Sequence, residues 1–406
     1  MASRTLSNSP RATYGSVFSV REFRALYAAH VASMLGDVVA AVALTVLVFE
    51  RTGSSLLAAL TFSLVFVPHL VGGVLLSALV DRLPPRPTLV ACHLASAALV
   101  AVMAVPGMPI WALLTLLVAL GLIAPVFSGV RAAILPDLLP DRSQYVLGRA
   151  LMRMVAQGSQ VFGNALGGAL LLLLHPGGAL VVDAVSFALS ALLVQLGTRS
   201  RPAATGAAEV SVVRDSLAGM RAVLAHRPVR RLLLLGWLLP ACAVAPEALA
   251  APYVRLLGEP VGAVGLLLAA MPAGTVVADL AGGRLLGPVG QRRLLVPAAL
   301  LICLPLVAFA IEPELPLALG LLALTGLGFA YGLALDRMVL DAAPERLRAR
   351  VLALEGPVLM FAQGAAFAVW GALGEVIPLP LVVAAAGGCG LLGVAWLRPP
   401  RAAASP

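Results

Sequence analysis

Apolar residues in this chain fall in long unbroken runs separated by short polar or Pro/Gly-bearing breaks, not in the alternating or three-to-four-residue stripes of a soluble fold. Twelve runs stand out, over residues 24–49, 56–80, 88–105, 109–133, 146–174, 177–197, 231–253, 260–285, 294–311, 315–340, 351–374 and 379–397. A helix rising ~1.5 Å per residue needs about 20 residues to cross roughly 30 Å of hydrocarbon, which is the scale of these runs. A transmembrane β-barrel is excluded, because its strands are alternating segments of roughly 10 residues. The pattern predicts an all-α, polytopic membrane protein with 12 transmembrane helices.

Composition agrees. Of 406 residues 61% are hydrophobic and 12% charged, against roughly 45–50% and 25% in a soluble domain, which argues against a soluble enzyme. All 28 basic residues are arginine. Without lysine there is no Walker loop, Schiff-base nucleophile or Ser-x-x-Lys site, so energy from P-loop ATP hydrolysis is excluded and no enzymatic activity is expected. With the N-terminus inside, 26 of the 28 arginines fall in or beside inner connections, leaving Arg51 and Arg255 outside. The +9 net charge is thus a sidedness signal rather than a nucleic-acid footprint. It predicts a multi-pass protein of the cell membrane with both termini cytoplasmic. Cys92, Cys242, Cys303 and Cys389 and the five histidines are scattered, which predicts no metal site, disulfide framework or cofactor.

The longest polar stretch, 198–230, has six runs before it and six after. Within it Val213, Leu217, Met220 and Leu224 recur at helical spacing, as in a helix lying on the inner membrane surface or a solvated linker helix. The halves also repeat. At an offset of 206, Arg24 matches Arg230, Arg86 matches Arg292, Leu89 matches Leu295 and Gln157-Gly158 matches Gln363-Gly364. The expected organisation is a tail (1–23), a six-helix bundle (24–197), the linker (198–230), a second, pseudo-symmetric bundle (231–397) and a tail (398–406). Parallel six-helix repeats with a midplane site between them are a transporter architecture.

The loop after the second run, Ser77-Ala-Leu79-Val-Asp81-Arg82-Leu-Pro-Pro-Arg86, resembles the signature of the major facilitator superfamily, Gly-x-Leu-x-Asp-Arg-x-Gly-Arg-Arg. Its counterpart, Gly283-Arg-Leu285-Leu-Gly287-Pro-Val-Gly290-Gln-Arg292, keeps the glycines instead. Ser159-x-x-x-Gly163-Asn164-x-x-Gly167-Gly168 is similar to the superfamily's antiporter motif with asparagine at the proline position, although small residues in that pattern also serve close helix packing. Arg131-Ala-Ala-Ile-Leu-Pro136-Asp137, Asp183-Ala-Val-Ser-Phe187 and Gly36-Asp37 resemble the branch containing macrolide-efflux and enterobactin-export permeases. The resemblance implies the major facilitator fold and alternating access. It makes Asp81, Arg82, Arg86 and Arg292 gating candidates, with Arg131, Arg149 and Arg153 beside them at the inner mouth.

An acid inside the membrane is costly and is by default a functional candidate. Asp37, Glu247 and Glu355 are proton-coupling candidates, while Asp183, on a helix the fold puts at the periphery, is expected to be structural. His30, Ser33 and Asp37 share one helix face. Arg149, Arg153, Gln157, Gln160 and Asn164 form a polar stripe. With Asp279, Gln363 and Trp370, the residues His30, Ser33, Gln157, Gln160 and Asn164 are the cavity and substrate candidates. Pro246, lacking an N–H, is expected to break the seventh helix beside Glu247. The expected function is a proton-coupled exporter of a small amphipathic compound, acting as a monomer whose partners are substrate, protons and the lipid bilayer. The alternatives are an importer, or a lipid-translocating or non-transport protein on the same scaffold.

Overall fold

The structure, a computed structural model, describes residues 13–75, 83–202, 220–221, 223–285 and 288–397. The described residues form helices and connections without strands. Twelve helical passages follow in order: α1 Arg21–Thr52, α2 Ser55–Leu75, α3 Pro85–Met103, α4 Ile110–Leu138, α5 Arg142–Leu173 and α6 Pro176–Gly197; then α7 Arg227–Ala243, α8 Ala263–Leu285, α9 Pro288–Val307, α10 Leu315–Gly328, α11 Glu345–Leu373 and α12 Leu379–Leu397. By length and composition, nine stretches among the described residues can cross a membrane unaided. α7 is continued by two short helices, Ala245–Ala248 and Ala250–Leu256; the first interruption falls at Val244, two residues before Pro246.

Three departures from the sequence pattern matter. α4 runs through Pro136 to Leu138 rather than stopping at 133, so Arg131 lies about two turns from the helix end rather than beside it. α5 starts at Arg142 because Asp141 caps it, its carboxylate accepting from the Ser143 and Gln144 amides at 2.9 and 3.0 Å. The Ser143 hydroxyl and these amides hold the exposed Asp141 carboxyl below its ordinary range. α10 is not continuous, breaking after Gly328 and resuming as Tyr331–Ala342. The loop acids and arginine Asp81 and Arg82, the side chain of Arg292, and most of the amphipathic stretch in the linker lie outside the described residues.

Packing has an internal symmetry. In the first half α1 packs on α5 and α6, α6 on α3, and α2 on α4. In the second half α7 packs on α11 and α12, α12 on α9, and α8 on α10, the same set shifted by six helices. The halves meet chiefly through α2 with α11 and α5 with α8, two crossings that the same shift interchanges.

The Gly-rich motif on α5 explains one crossing. Cβ atoms on Gly163 and Gly167 would meet Val38 and Val42 of α1, so these glycines seat α5 against α1 within its own half. Gly168 faces the other half, where an added Cβ would lie 2.4 Å from the Gly262 carbonyl oxygen and 2.9 Å from the Gly265 Cα. Beside it Asn164 Nδ2 donates to the Leu268 carbonyl at 2.9 Å. At the α2–α11 crossing Phe367 stacks on Phe62 and Phe66, with centroids at 4.9 and 5.8 Å. Beyond the end of α11 the Glu375 carboxylate accepts from the Ser54 hydroxyl (2.7 Å) and the Leu56 amide (2.8 Å), capping α2 from across the boundary.

These contacts lie toward the face opposite the chain ends. Toward the face that carries the chain ends, the α5 stripe Arg149, Arg153, Gln157 and Gln160 is exposed, whereas Asn164 one turn further on is buried. Polar side chains exposed at this depth belong beside water rather than lipid, so the halves are parted there and shut at the opposite face.

Replacing Gly168 by valine puts a branched side chain where backbone sits, and overpacking costs of about 1–3 kcal/mol apply to the shut arrangement alone. Spin labels at the exposed Leu174 and Leu256 should then show a longer-distance population by pulsed electron resonance that is absent without the substitution. An unchanged distance distribution would refute the assignment of Gly168 to closure.

Candidate functional site

The site is built from α1 outward. Asp37 and Ser33 sit on one α1 face and His30 one turn earlier, the spacing that brings i, i+3 and i+7 together. α6 reaches this face closely because residue 36 is glycine: a Cβ there would lie 2.3 Å from Asp183 Oδ1 and 2.2 Å from Ser186 Oγ. The Asp183 carboxyl therefore lies against the α1 backbone next to Asp37, and the two acids interact electrostatically.

Arg131 supplies the positive charge. From α4 its Nη1 donates to His30 Nδ1 at 2.6 Å, and its guanidinium lies 5.0 Å from the Phe127 ring centroid. Arginine can only donate, so the neutral His30 ring accepts at Nδ1 and carries its proton on Nε2. The same guanidinium is within electrostatic reach of Asp37. His93 of α3 packs edge-on to Phe127, centroids 4.5 Å apart. Among the described residues neither of its buried ring nitrogens has a hydrogen-bond partner.

These groups border a cavity of about 400 Å³, within the roughly 300–1,000 Å³ typical of small-molecule sites. Its walls come from α1 to α4 and α6, with Gln160 and Asn164 of α5, and Glu247 from the second half. Apolar lining includes Met34, Phe62, Phe66, Met103, Phe127 and Phe187. Of the charged lining groups, Asp37, Asp183 and Glu247 are acids and Arg131 is the basic one.

Ser33, Asp37, Gln160, Asn164 and Glu247 thus line one cavity, with His30 behind Arg131. Other candidates lie elsewhere. Gln157 is exposed on the open stretch of α5, and Asp279 is exposed on α8. Gln363 is half-buried on α11 and does not border the cavity. Trp370 is buried, and its Nε1 donates to the Ala241 carbonyl at 2.8 Å, tying α11 to α7. Glu355 meets Asp336 within the second half, away from the cavity.

The gating assignments change as well. Arg131 belongs to the cavity wall rather than to the inner mouth. Arg86 Nη2 donates to the Gln195 carbonyl at 2.5 Å, joining α3 to α6 inside one half instead of bridging two. Arg149 lies over Tyr145 (5.9 Å), and Arg153 is exposed. Asp183 and His93 were missed as site residues. The available signal was their location: an acid and a histidine, each within an apolar run, carry the anomaly that singled out Asp37.

A family model described as "Transmembrane secretion effector" matches residues 13–399. No curated protein matches in sequence. Among solved structures, the chain is similar to the nucleoside transporter NupG (D323A mutant), at 14% identity and TM-score 0.72, covering 92% of this chain and 98% of that one. It is also similar to a bacterial homologue of the human lysosomal transporter Spinster, inward-facing and unoccupied, at 14% identity and TM-score 0.69, with 95% and 97% covered. A POT family transporter in complex with 5-aminolevulinic acid gives 10% identity and TM-score 0.67, with 95% and 96% covered.

Removing Arg131 strips the cavity of its basic group and leaves Asp37 uncompensated. Arg131→Met should lower the unfolding temperature of the purified protein, and adding Asp37→Asn should restore part of the loss. A coupling energy above about 1 kcal/mol from the four-protein cycle is expected for interacting charges. Strict additivity would show that the two side chains are independent.

Proposed function

Because the chain belongs to the transmembrane secretion effector family of the major facilitator superfamily, whose members are membrane transporters, we propose that it exports a small amphipathic compound in exchange for protons. The observation that carries this reading is the cavity of about 400 Å³ that holds Asp37, Glu247 and Arg131 among apolar and aromatic side chains. An intramembrane acid that borders a cavity, with an arginine nearby, is chemistry suited to taking up and giving back a proton. The apolar walls suit the body of an amphipathic cargo.

Arginine distribution supports a cytoplasmic location for the face bearing the chain ends. On that reading the gap beside Gln157 and Gln160 opens to the cytoplasm, the state in which an exporter loads. Cargo enters from inside, the halves rock to open the opposite face, cargo leaves, and a proton taken up there by Asp37 is released inside on return. The absence of any lysine, and so of a P-loop, is consistent with an ion gradient as the energy source. The likeness of the Asp37, Arg131 and Asp183 segments to macrolide-efflux and enterobactin-export permeases favours export over import.

A panel of toxic compounds, compared in cells with and without the gene, selects a cargo for the direct assay. Everted vesicles with an acidic lumen should then lose protons on adding that compound, and vesicles carrying Asp37→Asn should not. Normal coupled release in Asp37→Asn removes Asp37 from the mechanism. Silence across the whole panel overturns proton-coupled export.

A further inference from the structure

One buried acceptor in the cavity wall lacks a partner among the described residues, and it is not on the helix that carries Asp37. Asp183 of α6 is 1% exposed, yet it lines the cavity. Its Oδ1 accepts from the Ser186 hydroxyl at 3.1 Å, and among the described residues its Oδ2 has no partner. Leaving a buried acceptor without a partner costs free energy, more when it is charged, so native proteins normally satisfy such an atom. The donors that could do so do not reach it. Arg131 is committed to His30 and Phe127, and no hydrogen bond from His93 is formed.

The surroundings specify what the missing partner is. In its ionised form the Asp183 carboxylate only accepts, so the partner it takes in that form donates a hydrogen bond. Three acids against one arginine favour a positive charge there. Phe127 and Phe187 border the same cavity, and aromatic faces attract cations. The remaining walls, Met34, Phe62 and Met103, suit an apolar body rather than a hydrated ion.

Building on the export reading above, we propose that the cargo is an amphipathic organic monocation whose ammonium N–H docks on Asp183 Oδ2, beside Asp37 and against the α1–α6 contact at Gly36. Asp183 is then a specificity-determining residue that selects protonated amines over their neutral counterparts. Gly36 has a part in this, because it lets α6 approach closely enough for both acids to reach one cation.

The test compares two probes that differ only in charge. Dansylcadaverine carries a protonated primary amine at neutral pH, and its N-acetyl derivative keeps the dansyl ring and chain but is neutral. Binding to the full-length protein in lipid nanodiscs is read from the rise in dansyl fluorescence. The intact protein should bind dansylcadaverine saturably and the acetylated probe at least tenfold more weakly. A charge-assisted hydrogen bond is worth roughly 1.5–3 kcal/mol, which corresponds to about a ten- to hundredfold loss. Asp183→Asn, nearly isosteric, should bring the two affinities together by weakening dansylcadaverine alone.

Equal binding of both probes, or no binding of dansylcadaverine, overturns the proposal without any variant being needed. Undiminished preference for the amine in Asp183→Asn overturns the assignment to Asp183. The assay requires no transport. If proton release in everted vesicles persists with neutral compounds while the amine is not preferred, the cargo class fails and the export reading stands; if amine selection is found without proton coupling, the reverse holds.

Discussion

A guanidinium has no accessible neutral form, so placing Arg131 inside a helical bundle obliges the protein to supply its compensation. The N-terminal half is arranged around that demand. His30 accepts from it, Phe127 offers a ring face, and Asp37 provides opposite charge. Because these partners sit on α1 and on α4 itself, the demand also fixes how α1 and α4 face each other across the cavity. Asp183 then stands outside the compensated set, which is why one of its oxygens is unsatisfied while Asp37 has a cation within reach.

The fold was legible from the sequence because hydrocarbon imposes a length on every helix that crosses it. The twelve apolar runs became twelve helical passages, and the offset of 206 corresponds to a six-helix shift visible in the packing. Ends were less legible. Pro136 resembles a stop, yet a proline one turn from a helix end removes a hydrogen bond that fraying would weaken anyway, so α4 continues to Leu138. Arg131, near the edge of the apolar run, is thereby held well inside the helix, and it lines the cavity. The glycine motif on α5 was visible as a pattern, but its division of labour was not. Two glycines serve α1 and one serves α8, and only three-dimensional neighbours distinguish them.

The site was half legible. Residues on one helix could be grouped by periodicity, which put His30, Ser33 and Asp37 on one face; of these, Ser33 and Asp37 border the cavity. Groupings across helices could not be read that way. Asp183 approaches Asp37 because Gly36 has no side chain, a contact between segments 147 residues apart that no spacing rule reaches. Trp370 and Gln363 fit a polar face on α11 by periodicity, but the Trp370 indole is used to join α11 to α7. A polar tip on an apolar span can line a cavity or anchor a neighbouring helix, and the sequence does not separate these uses.

The two halves do not contribute equally to the cavity, and the inequality bears on coupling. Asp37, Asp183 and Arg131 all belong to the first half, so rocking the halves as rigid bodies carries them together with their mutual distances unchanged. Glu247 belongs to the second half, on the short helix Ala245–Ala248 where α7 is broken. Among the described acids lining the cavity, it is the one whose separation from Asp37 must change as the halves move. A coupled exporter needs a protonation step whose energy depends on conformation, since a ligand that interacts equally with both states shifts neither. Interactions confined to the first half do not meet that requirement by rigid rocking alone. The separation of Asp37 and Glu247 is not confined in this way, because Glu247 sits on the short helix that follows the interruption of α7.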